Sequence, residues 1–520
     1  MTTAHSSTHE FYVWSRLLLV MAVQMFCWTT VPILTNDAPP LDVIENTVWG
    51  TERVLATYKN PALASLLLEG SRVLTGAVGW PAYVLSQLAI CATLLFVFLL
   101  GKPVIGGMRA LAGTLLLTTC YYFGWHTPEF NQDIIQMPFW AGVALALWRA
   151  IETGSPAWWS GLGLLAAGAI YSKLSSALLL GAAALWLFAD PLGRRALRTI
   201  GPWLAIATFL IVFAPLARWL ADGGLSTIID YAVRRGLSKF SALQFVALQS
   251  LMVLPMFAVM WWCGLLAPAT TSRAAPGGLP SGSDAQMRRF IRYLAWMTAA
   301  PIAMAAAAVT VAHTGTKLMW GVPMLNLTGL LTVTLVGRAV SEFDQRRLNL
   351  VVVSAVSFVL ATSAGVALTT RFGNQFRQVP DRQNWPQAEI AARMRQIWWK
   401  EVHRPLRIVA GDATNWAAGL IALSGGDLAH VFTLADYRRS PWIRPTDVGR
   451  DGVLVVWHET GKGAPPELRE FFGDRLQRHE TFVLRHPGKA RDVTLGYVIV
   501  PPVFTPEKDP TTRWEGMIRD

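Results

Sequence analysis

The sequence predicts an α-helical polytopic membrane protein of about eleven spans that carries a small C-terminal α/β domain. Three observations predict it. Hydrophobic residues make up 53% of the 520 positions and charged residues only 15%, more apolar surface than contact with water allows. Apolar windows of about 20 residues, the length of a membrane-crossing helix, recur through the first 370 positions. Beyond position 370 the hydropathy falls, and about 150 residues remain, enough for one small domain.

The windows lie near 14–34, 80–100, 104–124, 136–151, 157–172, 174–190, 199–219, 246–268, 290–312, 318–336 and 349–368. The first follows His5, His9 and a single nearby Arg, and no small-residue cleavage site comes after it, so it reads as a retained helix rather than a signal peptide. Alternate loops set the orientation. Lys102 and Arg109, then Arg194, Arg195 and Arg198, then Arg273, Arg288, Arg289 and Arg292, then Arg338, Arg346 and Arg347 fall on one side, which the positive-inside bias assigns to the cytoplasm. An odd number of spans then places the N-terminus inside and the C-terminus outside. On the cytoplasmic side, TTSRAAPGGLPSGSDAQM at 270–287 reads as a flexible linker. The outer face receives the longer connections, 35–79, 125–136, 220–245 and everything after 369, and chemistry is expected there.

In the C-terminal segment the β-rich runs 406–411, 452–458, 481–486 and 493–500 alternate with helix-like stretches at 386–400, 413–424 and 465–477. No internal repeat, phosphate-cradling glycine motif or nucleophile triad stands out in it. A structural or acceptor-docking module is the plain reading. The expected division is therefore 1–369, a membrane domain whose outer loop 35–79 carries the active site, and 370–520, a soluble extracytoplasmic domain.

The net charge of +12 does not point to nucleic acid, because the Lys and Arg residues are scattered through short loops rather than gathered in a basic stripe. Topology and anionic headgroups account for them. Cys27, Cys91, Cys120 and Cys263 all fall in apolar runs, so neither a disulfide framework nor a CxxC metal site is available.

The first outer loop, 35-TNDAPPLDVIENTVWGTERVLATYKNPALASLLLEGSRVLTG-76, is the most informative stretch. Its segments 41–56 and 62–75 are patterned as amphipathic helices suited to the membrane surface, separated by a Lys59-Asn60-Pro61 corner. The second outer loop contains 128-PEFNQDIIQMPFW-140, and a late one 313-HTGTKLMWGVPML-325.

These stretches resemble the GT-C superfamily of membrane glycosyltransferases. The similarity is to its bacterial branch related to protein O-mannosyltransferases and lipid A aminoarabinose transferases, the glycosyltransferase family 39/83-like proteins. In that branch the first outer loop carries an acidic residue near its start, a Trp about seven positions on, and a YYxHPPL or YKHPPL corner. Asp42, Trp49 and 58-YKNPAL-63 look like those elements, with Asn60 in place of the usual His and Ala62 in place of the second Pro. The 128–140 stretch is similar to an FNxDxxxxPFW pattern, which implies that Asn131 and Asp133 lie at the membrane surface. Lys317, Trp320 and Pro323 look like a short basic-W-P signature before a late span. The resemblance implies a GT-C fold and transfer of a sugar from a polyprenyl-phosphate donor to an acceptor hydroxyl, with inversion, at the outer face of a bacterial inner membrane. The acceptor class stays open among a lipid, a glycan, lipopolysaccharide and a protein.

Such chemistry has definite needs. The acceptor hydroxyl attacks the anomeric carbon while the lipid phosphate departs, so a base is required at the nucleophile and positive charge at the leaving group. The donor's tail stays in the bilayer, which fixes the site at headgroup level. Asp42 is the candidate base, since a partly desolvated carboxylate gains basicity. Asp133 is the candidate second carboxylate, although a helix N-terminal acid favoured by the macrodipole is the ordinary alternative. Glu45, one helical turn from Asp42, is a third. For the phosphate the candidates are Lys59, Lys317, Arg234 and Arg235, each of which also fits a side chain snorkelling to headgroups. Trp49, Tyr58, Asn60 and Asn131 are candidate substrate contacts. The high Trp count of 23 is explained mainly by interfacial anchoring, which leaves sugar stacking at Trp49 or Trp125 as a lesser reading. His126, His313 and His403 have no ligand spacing; no cofactor is required, and a divalent cation bridging carboxylate and phosphate remains open.

Two other classes fit part of the pattern. A transporter or lipid flippase would also need many spans, but the apolar windows hold few ionisable residues and no inverted repeat is visible. A non-catalytic envelope-assembly subunit would be favoured if Asn60 and Ala62 mark lost activity.

Overall fold

The structure, a computed structural model, describes residues 2–234, 240–266, 281–313, 315–336, 344–377, 381–476, 479–484 and 492–503. It opens with α1 (Thr2–Thr35), and the first loop folds as α2 (Leu41–Thr51) and α3 (Leu63–Thr75). Next come α4 (Trp80–Ile105), α5 (Gly107–Leu116) and α6 (Gln132–Thr153). The middle holds α7 (Pro156–Ser172), α8 (Ala177–Ala189), the short α9 (Pro191–Ala196) and α10 (Gly201–Trp219). Then follow α11 (Leu225–Arg234), α12 (Ala242–Met252), α13 (Leu254–Trp262), α14 (Ser281–Val311), α15 (Thr328–Val336) and α16 (Gln345–Phe372).

Seven helical stretches among the described residues are long and apolar enough to cross a membrane, and an eighth is counted if Leu318–Leu325 and α15, bent by 52°, form one broken span. The chain is thus a multi-pass membrane protein. The expected windows 104–124, 157–172 and 174–190 hold shorter helices instead. The first is interrupted after Leu116, where two single 3-10 turns, Leu117–Thr119 and Tyr121–Phe123, take over. The second and third are divided at Lys173, whose extended backbone ends α7. Hydropathy averages over such breaks, whereas hydrogen-bonded helix length does not. Residues 281–287, expected in a linker, belong to the start of α14, and 270–280 lie outside the described residues.

Contacts divide the chain into two compact units. Unit 1 comprises Met1–Thr35, Leu55–Leu67 and Trp80–Leu368, and unit 2 comprises Asn36–Val54, Leu68–Gly79 and Thr369–Asp520.

In unit 1, small residues let helices approach closely, the usual means of packing where lipid removes the hydrophobic drive. A Cβ at Gly163 of α7 would lie 2.2 Å from the Ala205 carbonyl oxygen of α10, and one at Gly329 of α15 would lie 2.0 Å from the Gly113 oxygen of α5. Buried polar groups add directional links. Gln24 Nε2 donates to Gln87 Oε1 (3.2 Å) and to the Phe123 carbonyl (2.7 Å), while Gln87 Nε2 donates to Thr127 Oγ1 (3.0 Å). Those bonds tie α1 and α4 to the loop that precedes α6. Arg289, assigned by sequence to a cytoplasmic loop, lies on α14 and donates two 2.8 Å bonds to the Asp190 carboxylate.

Unit 2 contains a five-stranded sheet: β1 (Ile408–Gly411), β2 (His430–Thr433), β3 (Val453–His458), β4 (Glu480–Leu484) and β5 (Val493–Val500). The order is β2-β1-β3-β5-β4, with β1 parallel to both its neighbours and β5 antiparallel to β3 and β4. Its helices are α17 (Gln387–Val402), α18 (Trp416–Leu423), α19 (Pro445–Asp451) and α20 (Pro466–Phe472). Ile408, Phe432, Val455, Trp457, Leu468 and Val498 form its main core. The loop helix α2 is packed within this unit: a Cβ at Gly419 of α18 would lie 2.4 Å from Ile44 Cγ2. The apolar stripe of α2, read from sequence as a membrane-surface face, is therefore in contact with protein at Ile44.

Candidate active site

Pro40 precedes α2 and its fixed φ suits a helix start, which puts Asp42 in the first turn, where the macrodipole favours a carboxylate. Asn46 Nδ2 donates to the Asp42 carbonyl oxygen at 2.7 Å, holding that turn. Asp42 is partly exposed, whereas Glu45 and Trp49, farther along α2, are buried. These three candidates therefore share one helix of unit 2.

The Lys59-Asn60-Pro61 corner is a tight turn of unit 1. Thr57 N–H donates to the Asn60 carbonyl (2.9 Å), Ala62 N–H to the Leu55 carbonyl (3.1 Å), and the backbone N–H groups of Lys59 and Asn60 both reach Thr57 Oγ1 at 3.3 Å. Ala56 anchors the turn in an apolar cluster with Ile170 of α7 and Leu216 of α10. Tyr58 is buried and meets the Tyr231 ring of α11 edge to face at 5.2 Å, and Lys59 Nζ lies 5.8 Å from the same ring, a cation–π distance. The corner thus comes beside α11, whose last residue is Arg234. Arg235 lies outside the described residues.

Asn131 caps α6: its side-chain oxygen accepts from the N–H groups of Asp133 (2.9 Å) and Ile134 (3.2 Å). The cap leaves Asp133 in the first helical turn. There Asp133 Oδ1 accepts from Lys173 Nζ at 2.7 Å and from Gln136 Nε2 at 3.1 Å, with both charged side chains largely buried. Lys173 was not singled out from the sequence, where one Lys between two apolar windows barely lowers their hydropathy. The available signal was an ionisable residue inside an apolar region, which by default marks function. Next to this pair, Ser176 Oγ donates to Gln136 Oε1 (3.3 Å) and accepts from Trp140 Nε1 (3.0 Å), so the surrounding side chains are fixed as well.

Lys317 follows an extended residue that bridges to the stretch before α12, with the Thr316 N–H donating to the Phe240 carbonyl at 2.9 Å. The following residue is held from two sides, since the Leu318 carbonyl accepts from Gln249 Nε2 (3.0 Å) and lies 2.9 Å from the Tyr122 hydroxyl. Gly321 leaves no room for a side chain against Gln249, where a Cβ would be 1.9 Å from Oε1. Trp320 is half-buried and Pro323 starts the next single turn. Of the aromatic candidates, Trp125 is exposed. Among the described residues no three His, Cys, Asp or Glu side chains gather as a metal-binding group.

Unit 1 therefore holds a carboxylate–lysine pair at the start of α6, a lysine corner against α11, and a lysine on a doubly anchored late segment. Each offers fixed positive charge for an anionic group, and the first adds an acid whose geometry is set by its neighbours.

Residues 59–219 match the family model described as dolichyl-phosphate-mannose-protein mannosyltransferase, a stretch that includes Lys59, Asn60, Asn131, Asp133 and Lys173. No curated protein matches the chain in sequence. Among solved structures, ArnT from Cupriavidus metallidurans bound to undecaprenyl phosphate is similar at a TM-score of 0.56 and 12% identity, covering 92% of this chain and 97% of that one. The same protein in the apo state gives a TM-score of 0.57 at 12% identity, with the same coverage. At that identity the likeness is one of fold, and it joins the family-model match in the segment that carries the lysine corner and the Asp133–Lys173 pair. The chain thus has the fold of ArnT over nearly its whole length, and its residues 59–219 match the protein mannosyltransferase model.

Proposed function

We propose that this chain transfers a sugar from a polyprenyl-phosphate donor to an acceptor hydroxyl of an envelope glycan, glycolipid or lipopolysaccharide, at the outer face of a bacterial inner membrane. The observation that carries the proposal is the largely buried Asp133–Lys173 pair beside Gln136, Ser176 and Trp140, within the segment that matches the mannosyltransferase model. A chain of the same fold binding undecaprenyl phosphate supports the donor class.

Asp42 removes the acceptor proton as the hydroxyl oxygen attacks the anomeric carbon. The bond from that carbon to the phosphate oxygen breaks, its electron pair stays on the phosphate, and the configuration inverts. Lys59, with Lys317 and the Arg234 region in support, stabilises the departing phosphate dianion. Asp133, held by Lys173, keeps a fixed negative field that orients the acceptor. No step requires a cofactor.

The test uses purified protein in lipid discs, supplied with undecaprenyl-phosphate-linked sugars and an envelope lipid extract, with products identified by mass spectrometry. Asp42→Asn is expected to abolish transfer while the protein remains folded and inserted; normal transfer by that variant removes Asp42 from the mechanism. Lys59→Ala is expected to raise the KM for the lipid-linked donor about tenfold, the size of one lost charge-assisted contact. An unchanged donor dependence would move the phosphate role to Lys317 or Arg234.

A further inference from the structure

Unit 2 has a feature that the transfer reaction does not use. Strand β1 leads through α18 to β2 on one side, and β2 leads through α19 to β3 on the other side of β1. The chain therefore reverses its direction across the sheet between β1 and β3. In open parallel sheets, ligands bind at such a reversal, outside the carboxyl ends of the strands. Asp412 follows the last residue of β1, and His458 is the last residue of β3.

A cavity of about 230 Å³ lies at this point, lined by Asp412, His458, Trp385, Trp416, Arg382 and Thr414, with Thr460 at its margin. Its walls are aromatic. The Trp385 ring meets Trp416 at 6.0 Å and His458 at 5.3 Å, both edge to face, and the Arg382 guanidinium lies 5.9 Å from the Trp416 ring. Both tryptophans are at least 97% buried, and among the described residues neither indole N–H has a hydrogen-bond acceptor. Buried indole N–H groups ordinarily find one. At the start of helix α18, Asn415 is in the left-handed region (φ 53°) and the Trp416 N–H donates to Thr414 Oγ1 at 3.4 Å.

The polar groups discriminate between ligand classes. Asp412 Oδ1 is held by the Thr414 N–H (2.9 Å) and hydroxyl (2.6 Å), which fixes a carboxylate at the rim and opposes an anion. The Arg382 guanidinium opposes a cation. Burial keeps the His458 imidazole below its ordinary pKa, so that near neutrality it offers one donor and one acceptor rather than a charge. A neutral polyol satisfies all of these groups at once, because each hydroxyl both donates and accepts and the C–H faces of a sugar ring suit aromatic walls.

We propose that this cavity is a monosaccharide-binding subsite for a neutral sugar residue of an envelope glycan, with Asp412 accepting from ring hydroxyls, Arg382 donating to them and the Trp385 and Trp416 rings serving as apolar walls. The site belongs to unit 2 alone and needs no lipid-linked donor.

The test is binding of free sugars to the purified full-length protein, followed by saturation-transfer NMR and calorimetry. The probes are D-glucose, D-galactose and D-mannose as neutral hexoses, D-glucuronate and D-glucosamine as charged ones, and inorganic phosphate. At least one neutral hexose is expected to bind saturably at about millimolar affinity, as suits a small site with a few hydrogen bonds. Asp412→Asn and Arg382→Gln should each weaken it about tenfold. Trp385→Leu keeps an apolar side chain but removes the aromatic wall, and is expected to weaken hexose binding without changing the thermal unfolding of the protein by much. The proposal is overturned by the absence of saturable hexose binding, by binding that survives all three substitutions, or by Arg382-dependent binding of phosphate alone. Because these readouts use no donor, they stand or fall apart from the transfer reaction.

Discussion

In unit 1 the buried charges are matched to one another: Lys173 to Asp133 at 2.7 Å, and Arg289 to Asp190 at 2.8 Å. In unit 2, Arg382, Asp412 and His458 line one cavity, yet among the described residues no ion pair joins Arg382 to Asp412. The difference follows from the surroundings of each. Between apolar helices an unmatched charge carries a large desolvation cost, so pairing is the condition of burial. Around the carboxyl ends of β1 and β3, opposite charges can be held apart by a rigid backbone and remain open to a ligand. In packing the two are more alike: unit 1 brings helix backbones together at Gly163 and Gly329, and both units fill their cores with large side chains, Trp148 and Trp159 in the one and Trp457 and Phe432 in the other.

Breaking one partner of the matched pair tests this view most severely. Lys173→Met leaves Asp133 buried without its cation, and a destabilisation of about 3 kcal/mol is expected in thermal unfolding, together with a fall of about 100-fold in sugar transfer. The double variant Lys173→Met with Asp133→Asn should recover most of the stability and none of the activity. If the double variant is as unstable as the single one, the pair is not what holds that region. The glycine crossings come next in size. Gly329→Ala forces a methyl group against the Gly113 oxygen, and a loss of about 1–3 kcal/mol is expected, readable as a lower unfolding temperature in detergent. A neutral result would show that α5 and α15 separate easily.

The smallest effect belongs to the charge pair of unit 2 that is half open to water. His430 Nδ1 lies 2.9 Å from Glu52 Oε1, and that bond raises the imidazole pKa above its ordinary 6.5. A raised folded-state pKa means that the stabilisation is complete below about 6.5 and fades as the pH climbs through the higher folded value. His430→Gln should therefore lower the unfolding temperature slightly at about pH 6 and less at about pH 8, by well under 1 kcal/mol throughout. A difference that grows with pH has the wrong sign for this pair.

Much of this was legible in the sequence, for identifiable reasons. Long apolar windows announced the spans, and β-branched runs announced β1, β3 and β5 at nearly their observed bounds. Strand β2, only His430–Thr433, and helix α19 were too short to rise above their neighbours. The corner at Lys59 was visible because Pro61 and Asn60 mark a turn, but its partner Tyr231 is 172 positions away (231 − 59) and no local pattern points to it. Lys173 was hidden by averaging. The apolar stripe of α2 was legible from its spacing and was read as a membrane-surface face; that protein covers it at Gly419 could not be inferred from spacing.

That contact bears on how the chain matures. Ile44 is translated early, while the residues that cover it, around Gly419, leave the ribosome only after every membrane span described here has been made. Helix α2, with Asp42 in its first turn, thus reaches its final environment late in biosynthesis. Until then Ile44 lacks that cover, and the acid proposed as the base acquires its setting only after the spans that precede Gly419 have been made.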